Sequence, residues 1–461
     1  MKREKSMKKS NAIDMLRGPL LPGIIRYTIP IILSGILQLL FNAADLMVVG
    51  QFCGNVSVGA VSCTGALTNL IVNVFMGISV GAGVCVAHGL GARREEEVYR
   101  TVHTAIPASL VSGVILTVLG VTLSGPMLKW MNTPGDVLPL AALYMKIYFL
   151  GITFTIVYNF CSAILRAAGD TRGPLVYLTI AGIINVILTL VFVIVFKLNV
   201  AGVALATTIS QAVSAVLVLR ALLRRTDSCR LHLKEMKIYG PQLRKMIRIG
   251  LPAGVQGSMF SISNVIIQSA VNSFGSAVIV AGNGAASNIE GFVYTSMNAL
   301  NQTAVNYIGQ NLGAQQFDRI KKILRDCLLC VTVVGGVMGP VFYVLAPWLL
   351  KFYVPDSQEA IDFAIIRMTF ICLPYFVCGL MDVTTGALRG LGSSFVPMVV
   401  TVLGVCVFRI VWVYSIFQIP QFHTPQCLYV SYLISWIMTF FVEFFLFAKV
   451  LRKKERLAAA R

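Results

Sequence analysis

Asp45 is the one carboxylate in the apolar run from Ile24 to Gly50, IIRYTIPIILSGILQLLFNAADLMVVG. Gln38 and Asn42 precede it by seven and three residues, which on a helix places all three on one face. A charge at bilayer depth costs roughly 2.5–3.5 kcal/mol on insertion scales, so it turns toward a bundle interior or a water-filled cavity. Three chemistries are open to it. The carboxylate can exchange a proton, can hold Na⁺ with neighbouring oxygens, or can pair with a donor on another helix. The first two make it a coupling group; the third makes it structural.

Two longer polar stripes lie downstream. One holds Ser261, Asn264, Gln268 and Asn272; the other holds Asn288, Glu290, Asn298, Asn301 and Gln302. Each either lines a substrate cavity or spends its groups on interhelical hydrogen bonds of about 0.6 kcal/mol apiece. Glu290 and Asp382 are candidates for a second coupling carboxylate. Arg409 and Glu443, on the last two apolar segments, are expected to pair with each other. Arg367 and Arg409 are the only cationic candidates for a central cleft. The 17 Met and 26 Phe suit a pliable cavity for lipophilic substrates, and lipid-facing packing explains them equally well. Cys327-x-x-Cys330 has no second such pair and reads as core packing rather than a metal or redox site. No Walker A, HExxH or GxSxG pattern occurs, so neither ATP-driven transport nor hydrolase chemistry is supported. The chain is read as a non-enzyme without a cofactor; H⁺ or Na⁺ at Asp45 is the ion it would use.

The elements that position these residues are membrane helices. Hydrophobic residues form 57% of the chain and charged residues 12%, about half the charge of a soluble protein. Twelve apolar segments are expected, near 24–49, 57–87, 102–124, 138–164, 174–196, 200–223, 247–273, 278–309, 326–350, 360–387, 395–419 and 427–449. Runs of this length span a bilayer, and Pro30, Pro252 and Pro374 can kink them. Of the 38 Lys and Arg residues, 32 fall on one side of such a bundle, which places both termini in the cytoplasm. The net charge of +19 is therefore a topology signal first, with contact to anionic lipid second and no nucleic-acid role. The first apolar stretch is too long for a signal-peptide core and is read as retained.

The chain is also duplicated. Pro30, Gly35 and Asn42 recur as Pro252, Gly257 and Asn264, each 222 residues on. Leu90-Gly91-Ala92 recurs as Leu312-Gly313-Ala314, Pro126 and Pro134 as Pro347 and Pro355, and Leu165-Arg166-x-x-Gly169 as Leu388-Arg389-x-x-Gly392. Asp45 does not recur, since Ile267 stands at its counterpart. The expected fold is all-α: twelve transmembrane helices in two pseudo-symmetric six-helix bundles. A basic N-terminus (1–23) leads into the first lobe (24–223). A cytoplasmic linker (224–246), the second lobe (247–450) and a basic tail (451–461) follow. Six helices per unit make the repeats parallel, with a cleft between lobes where rocking can switch access.

These features together resemble the multidrug and toxic compound extrusion (MATE) family, and its bacterial DinF-like branch more than the NorM-like one. The Pro30…Asn42-x-x-Asp45…Gly50 pattern, Gly89-Leu90-Gly91-Ala92 and its twin, the two Leu-Arg-x-x-Gly elements, and Val200-Ala201-Gly202-Val203-Ala204 with Ser210-Gln211 carry the resemblance. It implies export of amphiphilic or cationic small molecules, coupled to inward H⁺ or Na⁺, by a monomer in the plasma (inner) membrane. It also implies a cation site of Asp45, Asn185 and Thr207, with Asn42 nearby; Thr189 stands where the family has a second Asp. Gln38, Gln211, Ser261, Asn264, Gln268, Asn288 and Asn298 are the substrate-cavity candidates. The alternative is a flippase for lipids or lipid-linked saccharides, which would be expected to have a strongly cationic cleft.

Overall fold

The computed structural model describes residues 12–131, 133–354 and 357–460. Lys2, Arg3, Lys5, Lys8 and Lys9 of the basic N-terminus, Pro355 of the repeat and Arg461 of the basic tail lie outside the described residues. Within them the chain folds into helices and no strand, as a bilayer requires of a backbone that must satisfy its own polar groups. The first half forms α1 (Leu20–Phe52), α2 (Asn55–Gly91), α3 (Glu95–Trp130), α4 (Leu138–Ala167), α5 (Arg172–Leu190) and α6 (Asn199–Leu223). The second forms α7 (Gly240–Asn272), α8 (Ala277–Gly313), α9 (Phe317–Tyr353), α10 (Gln358–Phe370), α11 (Tyr375–Gly390), α12 (Phe395–Thr401), α13 (Phe408–Tyr414) and α14 (Pro425–Ala459).

Among the described residues nine helices are long and apolar enough to cross a membrane, or ten if the bent pair α10–α11 is one span. The expected single span 360–387 is thus broken, bending by 48° where Pro374 opens α11 and offers no N–H. α7 and α8 are also long enough to span, at 33 and 37 residues, but their Asn, Gln and Ser stripes lower their apolarity. Lipid-facing rows are legible elsewhere. On α5 Val176, Ile180, Ile183, Ile187 and Leu190 are all exposed, the three- and four-residue spacing of one helix face.

The halves meet through α1 and α2, which pack on α8 and α7. Gly77 and Gly81 of α2 lie against Gly250 and Gly254 of α7, and a Cβ on any of the four would run into facing backbone. This is close small-residue packing, which replaces the hydrophobic drive that lipid removes. The repeated Leu-Gly-Ala elements face each other at the ends of α2 and α8: a Cβ at Gly91 would strike Gln310 O, and one at Gly313 would strike His88 O.

Both ends of the described chain lie at this same face. Arg319 Nη1 donates to Gly18 O (3.2 Å), and Lys321 at the start of α9 pairs with Glu455 near the end of α14 (2.8 Å). Further links here are Gln310 Nε2 to Ala167 O (2.6 Å), His88 Nε2 to Gly390 O (2.7 Å) and Tyr27 OH to Arg166 O (2.8 Å). The links between the halves farthest from this face are near mid-helix, at Ser258 Oγ to Leu70 O (2.9 Å) and Asn73 to Ser261 (3.4 Å). The terminal face is closed in this conformation. The stretch that joins the halves is strapped to α3, with the His232 N–H donating to His103 Nε2 (3.0 Å) and the Tyr239 N–H to Thr104 Oγ1 (3.1 Å).

Candidate transport site

Asp45 sits in α1 against α5 and α6. Thr189 Oγ1 donates to Asp45 Oδ1 (2.8 Å), Thr207 Oγ1 makes a long contact to Oδ2 (3.5 Å), and Asn185 Nδ2 reaches Thr207 Oγ1 (3.4 Å). Thr189 and Asn185 are buried, while Asp45 is half-buried. One turn beyond Asp45, Val49 packs with Val193 and Val203 and caps the pocket with apolar surface. Two residues after Thr189, α5 gives way to a π-helical segment, Val191–Val195; such bulges recur at functional sites. The pocket gathers a carboxylate, two hydroxyls and the side-chain amide of Asn185. Hard oxygens of this kind suit H⁺ or Na⁺ rather than a soft metal.

Asn42 does not join this group. It lines the central cavity with Gln38, although the spacing put all three on one face. The cavity lies between the halves as two joined compartments of about 330 and 380 Å³. Gln211 and Asn298 line it too. The remaining candidates do not. Ser261 bonds to Asn73 at 3.4 Å, and Gln268 bonds to Asn272 (3.0 Å) and Asn283 (2.9 Å). Asn264 and Asn288 are exposed away from that lining.

The second half corrects two expectations. Glu290 is engaged by Arg367, with Nη2 at 2.8 Å and Nε at 3.1 Å; Arg367 Nη1 also donates to Asn283 Oδ1 (2.7 Å), as does Tyr429 OH (2.7 Å). A carboxylate so occupied is a poor coupling group. Arg409 and Glu443 do not pair. Glu443 accepts from Thr385 (2.6 Å) and Thr401 (2.7 Å), while Arg409 donates to Ser435 (3.1 Å) and lies 3.7 Å over the Tyr432 ring. Each buried charge instead takes the donors or π-face nearest it. Asp382 is 7% exposed and its Oδ2 has no partner among the described residues; its backbone carbonyl accepts from Asn301 Nδ2 (2.7 Å).

Arg367→Ala is expected to strand Glu290 in this interior and to lower stability by about 3–5 kcal/mol. The joint change of Arg367 and Glu290 to Met should recover most of that. Chemical unfolding of the detergent-solubilised protein measures both, and equal losses in the two variants would refute the pairing argument.

Sequence reasoning missed the cavity's charge. Arg166 and Arg389, counted there as topology signals, line it, whereas Arg367 and Arg409 do not. The signal available was the repeat itself, because both arginines belong to the duplicated Leu-Arg-x-x-Gly element. At the terminal face His103, His232 and Glu235 bring ligand atoms within 4.8 Å of one another. His103, however, already spends Nδ1 on Tyr99 O (2.9 Å) and Nε2 on the His232 N–H, so the cluster is a hydrogen-bond hub.

Helices too apolar for water, packed as two repeats around a polar cavity that is closed at one face, have the architecture of a membrane transporter. The chain belongs to the MatE family, whose profile matches residues 30–191 and 252–415. It is 27% identical over 390 residues to the probable multidrug resistance protein YoeA of Bacillus subtilis, covering 82% of this chain and 83% of that one. The probable multidrug resistance protein YpnP of the same organism is 24% identical, covering 86% and 88%. In fold it is similar to an outward-facing multidrug resistance MATE family transporter of the MOP superfamily, with a TM-score of 0.90 at 20% identity over 97% of this chain and 99% of that one.

Proposed function

We propose that the protein is a secondary active exporter of amphiphilic small molecules, driven by inward movement of H⁺ or Na⁺ through alternating access. The observation that carries this reading is the separation of the Asp45 pocket, within the first half, from the central cavity between the halves. An ion held at Asp45 can bias α1, α5 and α6 while a substrate occupies the space between the halves. That is the arrangement antiport needs, since two ligands must act on one bistable bundle. The names of the YoeA and YpnP relatives agree with it. In this reading residues 24–223 and 247–450 are the moving lobes, 224–246 is the linker, and the protein acts as a monomer in the plasma membrane. The terminal face is cytoplasmic, and the conformation is open to the outside.

A flippase for lipids or lipid-linked saccharides is the second reading. One observation favours it, the two arginines in the cavity.

The test is efflux from proteoliposomes under an imposed pH gradient and, separately, an imposed Na⁺ gradient. One gradient is expected to accelerate efflux and the other to leave it at the leak rate. No acceleration by either would refute cation coupling.

A further inference from the structure

Among the described residues the central cavity is lined by two guanidinium groups and no carboxylate. Arg166 and Arg389 are repeat twins, and the same local structure places both. Each stands in the last turn of its helix, α4 or α11, three residues before a left-handed glycine, Gly169 (φ +87°) or Gly392 (φ +76°). In both copies the chain closes identically. The Asp170 N–H donates to Leu165 O (2.9 Å) and the Ser393 N–H to Leu388 O (3.0 Å), the six-to-one bond of a Schellman cap. The duplicated motif is a device for setting one arginine from each half at the floor of the cavity.

Neither guanidinium forms an ion pair among the described residues. Arg166 Nη1 donates to Gln302 Oε1 (2.6 Å) and Arg389 Nη2 to Gln256 Oε1 (2.7 Å). These are amide partners, which orient a cation without cancelling its charge. Arg389 Nε is buried and has no partner among the described residues. Asp382 and Glu443 act on Arg389 through space, but neither lines the cavity. The side-chain amides of Asn159, Asn298 and Asn306 surround the floor; Asn159 and Asn306 each spend one N–H on a backbone carbonyl, of Thr155 (2.7 Å) and Gln302 (2.9 Å), and an amide NH₂ has a second to offer. Uncompensated charge in a restricted cavity is costly unless a partner completes it. The planar fork of arginine matches a carboxylate or phosphate in two-point geometry.

We infer that the cavity binds an anionic amphiphile, its phosphate or carboxylate seated on Arg166 and Arg389. The inference rests on the transport reading and narrows its substrate class. A cationic drug would meet like charge at the floor and find no acid to pair with. The anion is either a free amphiphile or a lipid headgroup, and the recognition chemistry is shared.

Equilibrium binding to the purified full-length protein in neutral detergent tests this without any gradient, so its failure is distinct from a failure of cation coupling. The probes are carboxyfluorescein and rhodamine 6G, xanthene dyes of similar size and opposite charge, followed by anisotropy. Carboxyfluorescein is expected to bind at least about tenfold more tightly, the worth of one charge-assisted hydrogen bond. Arg166→Gln with Arg389→Gln should remove that preference, while Arg166→Lys with Arg389→Lys should keep it. Competition on the unaltered protein stands even if the Gln pair fails to fold. Displacement of the dye by dihexanoylphosphatidylglycerol alone identifies a lipid headgroup, and displacement by inorganic phosphate as well identifies a free anion. Tighter binding of rhodamine 6G, binding of neither dye, displacement by neither competitor, or a preference that survives the Gln pair overturns the inference.

Discussion

Asp45→Asn is expected to reduce gradient-driven efflux to the leak of empty liposomes while the protein stays folded. The substitution keeps the volume of the side chain and removes its charge. Thr189 can still donate to the remaining amide oxygen, and the Thr207 hydroxyl can rotate to accept from the new NH₂. The local hydrogen bonds are conserved, so stability should change by no more than about 1 kcal/mol. What is lost is the ability to take up a proton or to balance Na⁺. Among the described residues no other carboxylate stands in this pocket; Thr189 occupies the place where the family resemblance would put a second acid. Substrate binding measured without a gradient should be unaltered, because Asp45 is not among the residues lining the cavity. Coupled transport at the unaltered rate would refute the assignment. Loss of binding together with transport would show that Asp45 acts through the fold.

The site was legible in the sequence where the constraint was local. A lone acid in an apolar run has few uses; that Asn185 and Thr207 lie beside Asp45 was implied by the family resemblance and not by the spacing. The repeat was legible too, because Leu-Gly-Ala and Leu-Arg-x-x-Gly encode backbone requirements, close helix crossing and left-handed caps, that tolerate few other residues. Three things were hidden. Gln38, Asn42 and Asp45 fall within a narrow arc, yet that arc spans the boundary between the cavity and the α5–α6 surface, which spacing alone cannot divide. Charge counting assigned Arg166 and Arg389 to the cytoplasmic loops because they lie near helix ends. It has no means of telling a side chain that reaches water from one that reaches a cavity. The expected Arg409–Glu443 pair failed because opposite charges on neighbouring segments meet only if the helix rotations agree. Here hydroxyls and an aromatic face were nearer.

Gly313→Val is expected to hold the terminal face apart and to abolish transport without unfolding the protein. The Cβ would collide with His88 O and would crowd the Ala92 backbone N (2.8 Å). These are backbone atoms within helix and cap, so no rotamer change relieves the contact. The helices must separate toward the 8–10 Å between axes typical of ordinary side-chain packing. The same holds in mirror for Gly91→Val against Gln310 O. Each change therefore penalises the closed arrangement and leaves the opposite one untouched, which biases a two-state bundle rather than melting it. Spin labels at the exposed positions Arg94 and Gln315 should report a longer distance in either variant. Gly284→Val is the control, because nothing lies within 4 Å of its Cβ position, and both its label distance and its transport should be unchanged. If the Gly313 variant keeps the unaltered distance and still transports, the α2–α8 crossing is not the closure of this face. If the rate falls while the distance is unchanged, the glycines serve a step other than closure.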